Sequence, residues 1–437
     1  MAELQQRVLD NLVSDILLAI ILLLVSAYGL YRLAEFWKVS ILPLAVLLPA
    51  FLGAGLILYV PLSPLYVTSD GEFYQSWGFS LAVALLSGEP LVSPQALWPG
   101  KGLWPLIIGG FTAIAGPVTI TLIVFNALVL MLGTIILQNS TFLLGGRVPR
   151  WSMVVVFLSC GPFLLWGPSL LREALFWLGV ALAVLALSYA SVDRFGSAFL
   201  SVGLSALVLL GIRPDAGIVL IFGFVAMLVF LWGVVGPKRS LFRVVAASVL
   251  LLSLALSFPT ATNFARGDEI TGQTIMHSNE ALSAEHVTTA FRSSSIGSDY
   301  CESEFVEQSL GAAVLCTAGV NLPHALFGPF PWEYGEEAIW WLAGASTVHF
   351  VLLGGLATYD LVNSGGRRWP LLALLAVAAA SMLMFSSILS NYGILIRFRA
   401  ATEIILIPLA LSGALKLVER WKLSREKLKA VETPKNV

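Results

Sequence analysis

The sequence predicts an all-α polytopic membrane protein with about eleven transmembrane helices, and three observations lead to that class. Of its 437 residues, 58% are hydrophobic and only 12% are charged, with a mean hydropathy of +0.87. Soluble domains contain roughly 45 to 50% apolar residues. Apolar runs of about 20 residues, the length that crosses a hydrocarbon core as a helix, recur along the chain. The formal net charge of -1 excludes a globally basic nucleic-acid-binding protein.

The predicted spans are the long apolar runs that carry few charges. The fourth run is short, and Gly161-Pro162 is expected to tilt or break it, because proline removes a helical hydrogen bond. The eleven spans are 13–33, 40–60, 117–138, 151–166, 172–190, 196–212, 215–235, 241–259, 337–358, 369–389 and 400–418.

Basic residues concentrate on alternate connections, and this bias indicates orientation because cytoplasmic loops are enriched in lysine and arginine. We expect the N-terminus outside, a basic cytoplasmic tail at 419–437, and an integral protein of the plasma (inner) membrane. The residues on the predicted cytoplasmic side are Arg32, Lys38, Arg147, Arg150, Arg194, Lys238, Arg239, Arg243, Arg367, Arg368 and the basic residues from Lys416 to Lys435.

Two long outer segments interrupt what we expect to be a single transmembrane domain, 1–437. The first, 61–116, contains a predicted interfacial helix at Phe73–Leu86 and a second apolar piece after Trp104. The second, 260–336, is mixed in composition and carries Cys301 and Cys316, which could pair if the loop is extracytoplasmic.

Two carboxylates at the start of the first outer segment, Asp70 and Glu72, are candidates for chemistry, since isolated acids at a membrane rim are costly and usually functional. In an extended loop both could face one way, whereas on a helix they would diverge. One could be a base and the other a ligand for Mg²⁺ or Mn²⁺. The alternative is the acidic first turn of a helix that begins near Phe73.

Four arginines break the cytoplasmic bias and fall at predicted outer ends of helices. A guanidinium group binds phosphate through a planar fork of donors, so these arginines suggest an anionic lipid or phosphorylated ligand. Ion pairing is the alternative, and the plausible acids are Asp215 for Arg213 and Glu403 for Arg399; Glu173 is adjacent to Arg172, but consecutive helix positions do not face each other. The arginines are Arg172, Arg213, Arg397 and Arg399.

Several other residue types are less specific. The four histidines lack metal-ligand spacing, so we interpret them as loop or core residues, with His324 a minor exception because it precedes Phe327-Gly328-Pro329. Cys160 is expected to be a buried free thiol. Trp332 and the other rim aromatics are interpreted first as interfacial anchors and second as platforms for sugars. No nucleotide-binding glycine motif is present.

The order of these motifs resembles the GT-C superfamily of integral-membrane glycosyltransferases, which includes protein O-mannosyltransferases and bacterial aminoarabinose transferases. The resemblance covers most of the chain, although each motif alone is loose. The segments that carry it are Asp70-Gly71-Glu72-Phe73-Tyr74, Leu85 to Gly88, Pro99 to Leu106, Leu171-Arg172-Glu173, Arg213-Pro214, Phe327 to Trp332 and Arg397-Phe398-Arg399.

The resemblance implies an inverting transfer of sugar from a polyprenyl-phosphate-linked donor to a hydroxyl of a glycan, a lipid or a protein, on the extracytoplasmic face. Asp70 would be the general base, with Glu72 beside it, and Arg397 and Arg399 would match the family's late basic residues near the donor phosphate. Arg172 and Arg213 are further candidates for contact with that phosphate. Tyr74, Lys101, His324 and Trp332 would line the substrate site. The alternatives are a transporter or flippase of an anionic or lipid-linked substrate, and a lipid-linked polysaccharide polymerase or ligase.

Overall fold

A computed structural model describes residues 11–59, 69–88, 102–146, 149–235, 322–328, 330, 338–365, 368–388 and 392–432. Within these ranges the regular secondary structure is helical. The helices are α1 Leu12–Trp37, α2 Leu42–Tyr59, α3 Ser69–Ser87, α4 Leu103–Ala115, α5 Ile120–Leu143, α6 Ser152–Ser159, α7 Gly161–Leu165, α8 Glu173–Ala190, α9 Phe195–Ile212, α10 Pro214–Val235, α11 322–327, α12 Ala338–Val362, α13 Arg368–Ile388 and α14 Tyr392–Glu432.

Eight helices in the described ranges are long and apolar enough to cross a membrane, which makes the chain an integral membrane protein. They correspond to eight of the eleven predicted spans. Of the other three, 151–166 is broken in two, 369–389 contains a shorter apolar helix, and 241–259 lies outside the described residues. The all-helical membrane class is confirmed, and the number eleven stays a prediction.

The centre of the bundle is formed by α5, α8 and the first half of α14, whose residues are buried almost throughout. Helix α8 packs against α9, α5, α10 and α14, while α12 packs along α14. Helix α1 exposes most of its apolar side chains, as expected of a helix that contacts lipid. Apolar residues buried on all sides of α8 explain why its sequence shows no polar stripe.

The predicted break at Gly161-Pro162 is confirmed. Helix α6 ends at Ser159, Cys160 is extended with φ -96° and ψ 97°, and α7 begins at Gly161 with Pro162 in its first turn. Proline has no N–H to continue the α6 ladder but fits the start of a helix, where that donor is not needed. The break turns the Cys160 thiol into the bundle, where it is fully buried.

A buried segment without regular helix, 166–172, follows α7 and leads to α8. Three of its buried carbonyl groups accept hydrogen bonds from side chains: Asn126 Nδ2 donates to Ser169 O at 2.5 Å and to Leu171 O at 3.0 Å, and Trp104 Nε1 donates to Leu170 O at 3.1 Å. Irregular backbone at membrane depth requires such internal partners. These contacts fix where the segment ends, at Arg172.

Helix α3 includes residues that the sequence had placed in a loop, because it begins at Ser69 rather than near Phe73. One face of α3 packs against α4 at a close approach in which a Cβ added at Gly78 would lie 2.4 Å from Ile108 Cγ2. A helix at Phe73–Leu86 is thus confirmed, and its interfacial position stays a prediction.

Helix α14 extends beyond the predicted span 400–418 at both ends. This helix starts at Tyr392, eight residues before the predicted span 400–418, and continues to Glu432. Its 41 residues span about 60 Å at a rise of about 1.5 Å per residue. The first part of the predicted tail thus continues the helix, because Lys416 to Glu432 contains good helix formers and no proline. The cytoplasmic position of the tail stays a prediction.

Candidate anion-binding site

Three of the predicted arginines converge on one carboxylate at the end of the bundle where α8 begins. Arg213 Nη2 lies 2.8 Å from Glu173 Oε1, and Arg397 Nη1 lies 3.4 Å from the same oxygen. Glu173 is 1% exposed and Arg172 is 7% exposed. We call Arg172, Glu173, Arg213 and Arg397 the arginine cluster.

Two arginines of the cluster, Arg172 and Arg213, are positioned by helix ends. Arg172 immediately precedes α8 and its Nη1 donates to Ile212 O, the last carbonyl of α9, at 2.7 Å. Arg213 occupies the junction between α9 and α10, where its own N–H donates to Leu209 O. The cationic side chain at the C-terminal end of α9 is favourable because the terminal carbonyls carry partial negative charge.

Aromatic rings hold the planes of the guanidinium groups. Arg172 lies 5.3 Å above the Tyr74 ring, Arg213 lies 5.1 Å from the Phe398 ring, and Arg397 lies 5.6 Å from the Trp166 ring. Stacking of this kind attracts a cation to the ring face and restricts its rotation. The cluster is thus pre-organised by packing as well as by charge.

Two guanidinium groups, those of Arg213 and Arg397, contact the Glu173 carboxylate, and the charge of Arg172 also acts on it. Bringing like charges together in a buried site is unfavourable unless anions lie between them. Glu173 Oε1 supplies one such anionic contact, and Glu173 Oε2 has no hydrogen-bond partner in the described structure. Chemically, the arrangement is suited to binding an anion with several oxygens.

Asp70 and Glu72 lie on helix α3 and not in the extended loop in which both could face one site. Asp70 is the second residue of α3, its side chain lying outside the described part, and Glu72 is partly buried in the first turn. On a helix, positions 70 and 72 are about 200° apart, so they do not share a face and the loop reading in which both serve one site does not fit. Position 70 is instead one turn from Tyr74, which contacts Arg172.

Arg399 has a different environment from the other three arginines. It is fully buried, and its guanidinium donates to the carbonyls of His324, Ala325 and Gly328 and to Thr347 Oγ1 at 2.8 to 3.1 Å. These carbonyls lie at the C-terminal end of α11, which lacks further helical donors. Arg399 therefore holds α11 against α14, and we replace its predicted phosphate contact with this structural role.

Of the remaining predicted site residues, the structure describes some and leaves the others outside the described ranges. Tyr74 is buried against Arg172, as a substrate-lining or supporting residue would be. The His324 ring packs edge-on against Phe330, with centroids 5.2 Å apart. Lys101, Trp332, Cys301, Cys316 and the side chain of Asp215 lie outside the described residues, as does most of the predicted outer segment 260–336.

Sequence reasoning missed Glu173 as the centre of the cluster. It noted Glu173 only as the neighbour of Arg172, whereas the carboxylate pairs with Arg213 and Arg397, 40 and 224 residues away. A signal was present, because an acid in the first turn of an otherwise apolar transmembrane helix requires a buried cationic partner. The expected pairing of Arg213 with Asp215 stays a prediction, because the Asp215 side chain lies outside the described residues.

No family model, curated protein or solved structure matches this chain. The class is therefore defined by the fold: an all-helical integral membrane protein with several spans. Its particular feature is the arginine cluster at one end of the bundle.

Proposed function

We propose that this chain is an inverting membrane glycosyltransferase that uses a polyprenyl-phosphate-linked sugar donor. The observation that carries the proposal is the convergence of Arg172, Arg213 and Arg397 on Glu173 at the end of the bundle near α3, the helix that bears Asp70. The order of motifs similar to GT-C enzymes gives the reaction class, and the cluster supplies a physical basis for donor recognition.

The arginine cluster suits the phosphate of a lipid-linked donor. Arginine presents several donors in a plane and keeps its charge at any physiological pH, so two or three guanidinium groups can bind the oxygens of one phosphate together. Glu173 acts as a positioning residue, because its Oε1 contacts both Arg213 and Arg397. An apolar bundle around the site allows the prenyl chain to remain in the membrane.

In the proposed reaction Asp70 is the general base. It would accept the proton of the acceptor hydroxyl while the hydroxyl oxygen attacks C1 of the sugar. The new C1–O bond forms as the bond from C1 to the phosphate oxygen breaks, and the electron pair remains on the departing polyprenyl phosphate. The arginine cluster would stabilise the negative charge that develops there. Attack from the face opposite the leaving group inverts the anomeric centre.

The donor-binding step can be tested separately from catalysis. Undecaprenyl phosphate, used as a probe for the polyprenyl phosphate leaving group, would be titrated against protein in nanodiscs. We expect Arg397→Ala to weaken binding by about tenfold or more, since a charge-assisted hydrogen bond contributes about 1.5 to 3 kcal/mol. Arg420→Ala is the matched control, because Arg420 is exposed in the second half of the same helix. Equal affinity in both variants would contradict the phosphate site.

Catalysis is tested by release of polyprenyl phosphate from a panel of labelled undecaprenyl-phosphate sugars in the presence of membrane extract as acceptor. Asp70→Asn should reduce release by at least about 100-fold, as loss of a general base does. Asp193→Asn is a suitable control because Asp193 is exposed, has φ +61°, and asparagine tolerates that conformation. Full activity of Asp70→Asn would remove the base assignment.

The flippase alternative predicts a different result in the same preparation. A flippase would move labelled lipid across the membrane of sealed vesicles with no acceptor present. It would release no polyprenyl phosphate, either as wild type or as Asp70→Asn. The polymerase or ligase alternative would use a different arrangement of catalytic arginine or histidine, so His324→Ala and Arg397→Ala are measured beside Asp70→Asn.

A further inference from the structure

A second group of polar side chains meets inside the bundle, and the transferase proposal makes no use of it. Cys160 lies at the break between α6 and α7, His349 on α12 and Glu403 on α14. Cys160 and Glu403 are fully buried, and His349 is less than a tenth exposed. One ligand atom from each residue lies within 4.8 Å of the other two. We call these residues the Cys160–His349–Glu403 group.

The contacts within the group leave polar atoms unsatisfied. The Cys160 thiol donates to Glu403 Oε2 at 3.0 Å. His349 Nδ1 and Glu403 Oε1 approach to 3.3 Å, yet neither atom has a hydrogen-bond partner in the described structure. A buried polar atom without a partner costs about 1 to 3 kcal/mol. Two such atoms on facing side chains therefore point to a ligand that binds both.

The chemistry of these atoms indicates a cation as that ligand. An imidazole nitrogen, a carboxylate oxygen and a thiolate sulfur each offer a lone pair, and a metal ion accepts all three. Sulfur with nitrogen selects a borderline or soft metal, whereas Mg²⁺ and Mn²⁺ prefer oxygen ligands. The Cys160–His349–Glu403 group would therefore bind a different metal from the Mg²⁺ or Mn²⁺ suggested for Asp70 and Glu72.

We propose that Cys160, His349 and Glu403 form a zinc site. On a tetrahedral zinc ion, nitrogen and oxygen ligands at about 2.0 Å lie about 3.3 Å from each other, and sulfur at about 2.3 Å lies about 3.5 Å from oxygen. The observed Nδ1–Oε1 distance of 3.3 Å fits the first value. With Oε1 as the oxygen ligand, the Cys160 sulfur leaves its 3.0 Å hydrogen bond to Oε2 and moves to about 3.5 Å from Oε1. Three protein ligands leave the fourth position for water.

The proposed site is neutral as a unit, which suits its apolar surroundings. When zinc binds, the Cys160 thiol releases its proton, so one thiolate and one carboxylate balance the two positive charges, and His349 binds as neutral imidazole. The ion would join the α6–α7 break to α12 and α14. Its role is thus to stabilise the packing of three elements, and it does not depend on the transferase reaction.

Metal content is the first test, measured by mass spectrometry on protein purified with a tag that binds no metal. We expect about one zinc per chain in wild type and at least about a tenfold lower content in Cys160→Ser and His349→Gln, because each removes a ligand. Cys316→Ser and His277→Gln control for general thiol and imidazole binding and should keep the ion. Retention of zinc by Cys160→Ser and His349→Gln would overturn the proposal.

Cobalt substitution gives a second readout that uses the wild-type protein itself. Protein stripped of metal and reloaded with Co²⁺ should show the visible bands of a tetrahedral ion and a near-ultraviolet band of a cobalt thiolate. Both bands should persist in Cys316→Ser and disappear in Cys160→Ser. Wild-type protein that holds no zinc and gives no cobalt bands would show that the three side chains form a hydrogen-bonded group only, even where the variants fail to fold.

Discussion

Thr121 contacts Asp15 twice, and the pair joins the first helix to the central one. The Thr121 N–H donates to Asp15 Oδ1 at 2.8 Å, and its hydroxyl donates to the Asp15 carbonyl at 3.0 Å. Asp15 Oδ2 also accepts the N–H groups of Thr119 and Ile120, both at 2.8 Å. A fully buried carboxylate thus caps the N-terminus of α5, where the helix leaves N–H groups without helical partners.

This cap predicts a large stability effect for a residue that no sequence motif singled out. Asp15→Asn replaces one accepting oxygen by an amide donor and removes the charge that favours the helix N-terminus. We expect the variant to lose about 2 to 3 kcal/mol of stability, as for a hydrogen bond to a charged group. The check is thermal unfolding in detergent against the exposed control Asp193→Asn. Equal unfolding temperatures would contradict a capping role.

The Glu173–Arg213 contact predicts strong energetic coupling. Glu173→Gln removes the carboxylate that Arg213 and Arg397 share, and Arg213→Gln removes the shorter of its two ion pairs. Breaking one side of a buried ion pair costs about 3 to 5 kcal/mol, whereas the double variant removes both members of the Glu173–Arg213 pair. We therefore expect a coupling energy above about 1 kcal/mol in a double-mutant cycle.

The exposed pair Arg32–Glu35 provides the control for that cycle, because its atoms lie at a similar distance of 2.9 Å in solvent-accessible side chains. Its coupling should stay below about 1 kcal/mol, as for surface ion pairs generally. Additive effects of the two substitutions at Glu173 and Arg213 would mean that their contact does not organise the arginine cluster.

Arg397 and Arg399 should separate ligand binding from stability, although they lie two residues apart. Arg399→Ala removes the guanidinium contacts to three carbonyls at the end of α11, so it should lower stability by about 3 kcal/mol or more. Arg397→Ala should affect undecaprenyl phosphate affinity more than stability. The check is to measure the unfolding temperature and the undecaprenyl phosphate affinity of both variants. If Arg399→Ala mainly weakens binding and Arg397→Ala mainly lowers stability, the two assigned roles are wrong.

Close packing of α12 on α14 predicts that Gly413 tolerates no side chain. A Cβ at this position would lie 2.0 Å from the Leu356 carbonyl oxygen, which is backbone and cannot rotate away. Gly413→Ala should therefore lower the unfolding temperature by several degrees, in the range of other overpacked sites that lose about 1 to 3 kcal/mol.

Gly203→Ala is the matched control for Gly413→Ala, because Gly203 lies within α9 and a Cβ there meets no atom within 4 Å. Alanine favours helix over glycine, so this variant should be neutral or slightly more stable. If both variants behave alike, the helices do not approach at Gly413 as closely as the structure indicates.

Helical spans and the helix break could be predicted from the sequence, because each depends on a short run of neighbouring residues. Spans such as α1, α2 and α5 follow from apolar runs, and the interruption at Cys160 follows from Gly161-Pro162. The start of α3 was placed too late, since the glycine and the acids around Asp70 were read as a loop. Acids are common in the first turn of a helix, so that pattern supports both interpretations.

Partners of buried charges depended on tertiary structure. The sequence predicted that Arg172, Arg213, Arg397 and Arg399 lie at one rim, yet only packing assigns three to the arginine cluster and turns Arg399 toward the carbonyls at the end of α11.

By itself the sequence determined that this is a helical membrane protein with basic and acidic residues at identifiable helix ends, because hydropathy over about 20 consecutive residues decides insertion in the bilayer. The tertiary structure alone decided that Glu173 meets Arg213 and Arg397, that Asp15 caps α5, and that Cys160, His349 and Glu403 adjoin. A buried polar group must find a partner, but which partner it finds depends on how helices distant in sequence pack together.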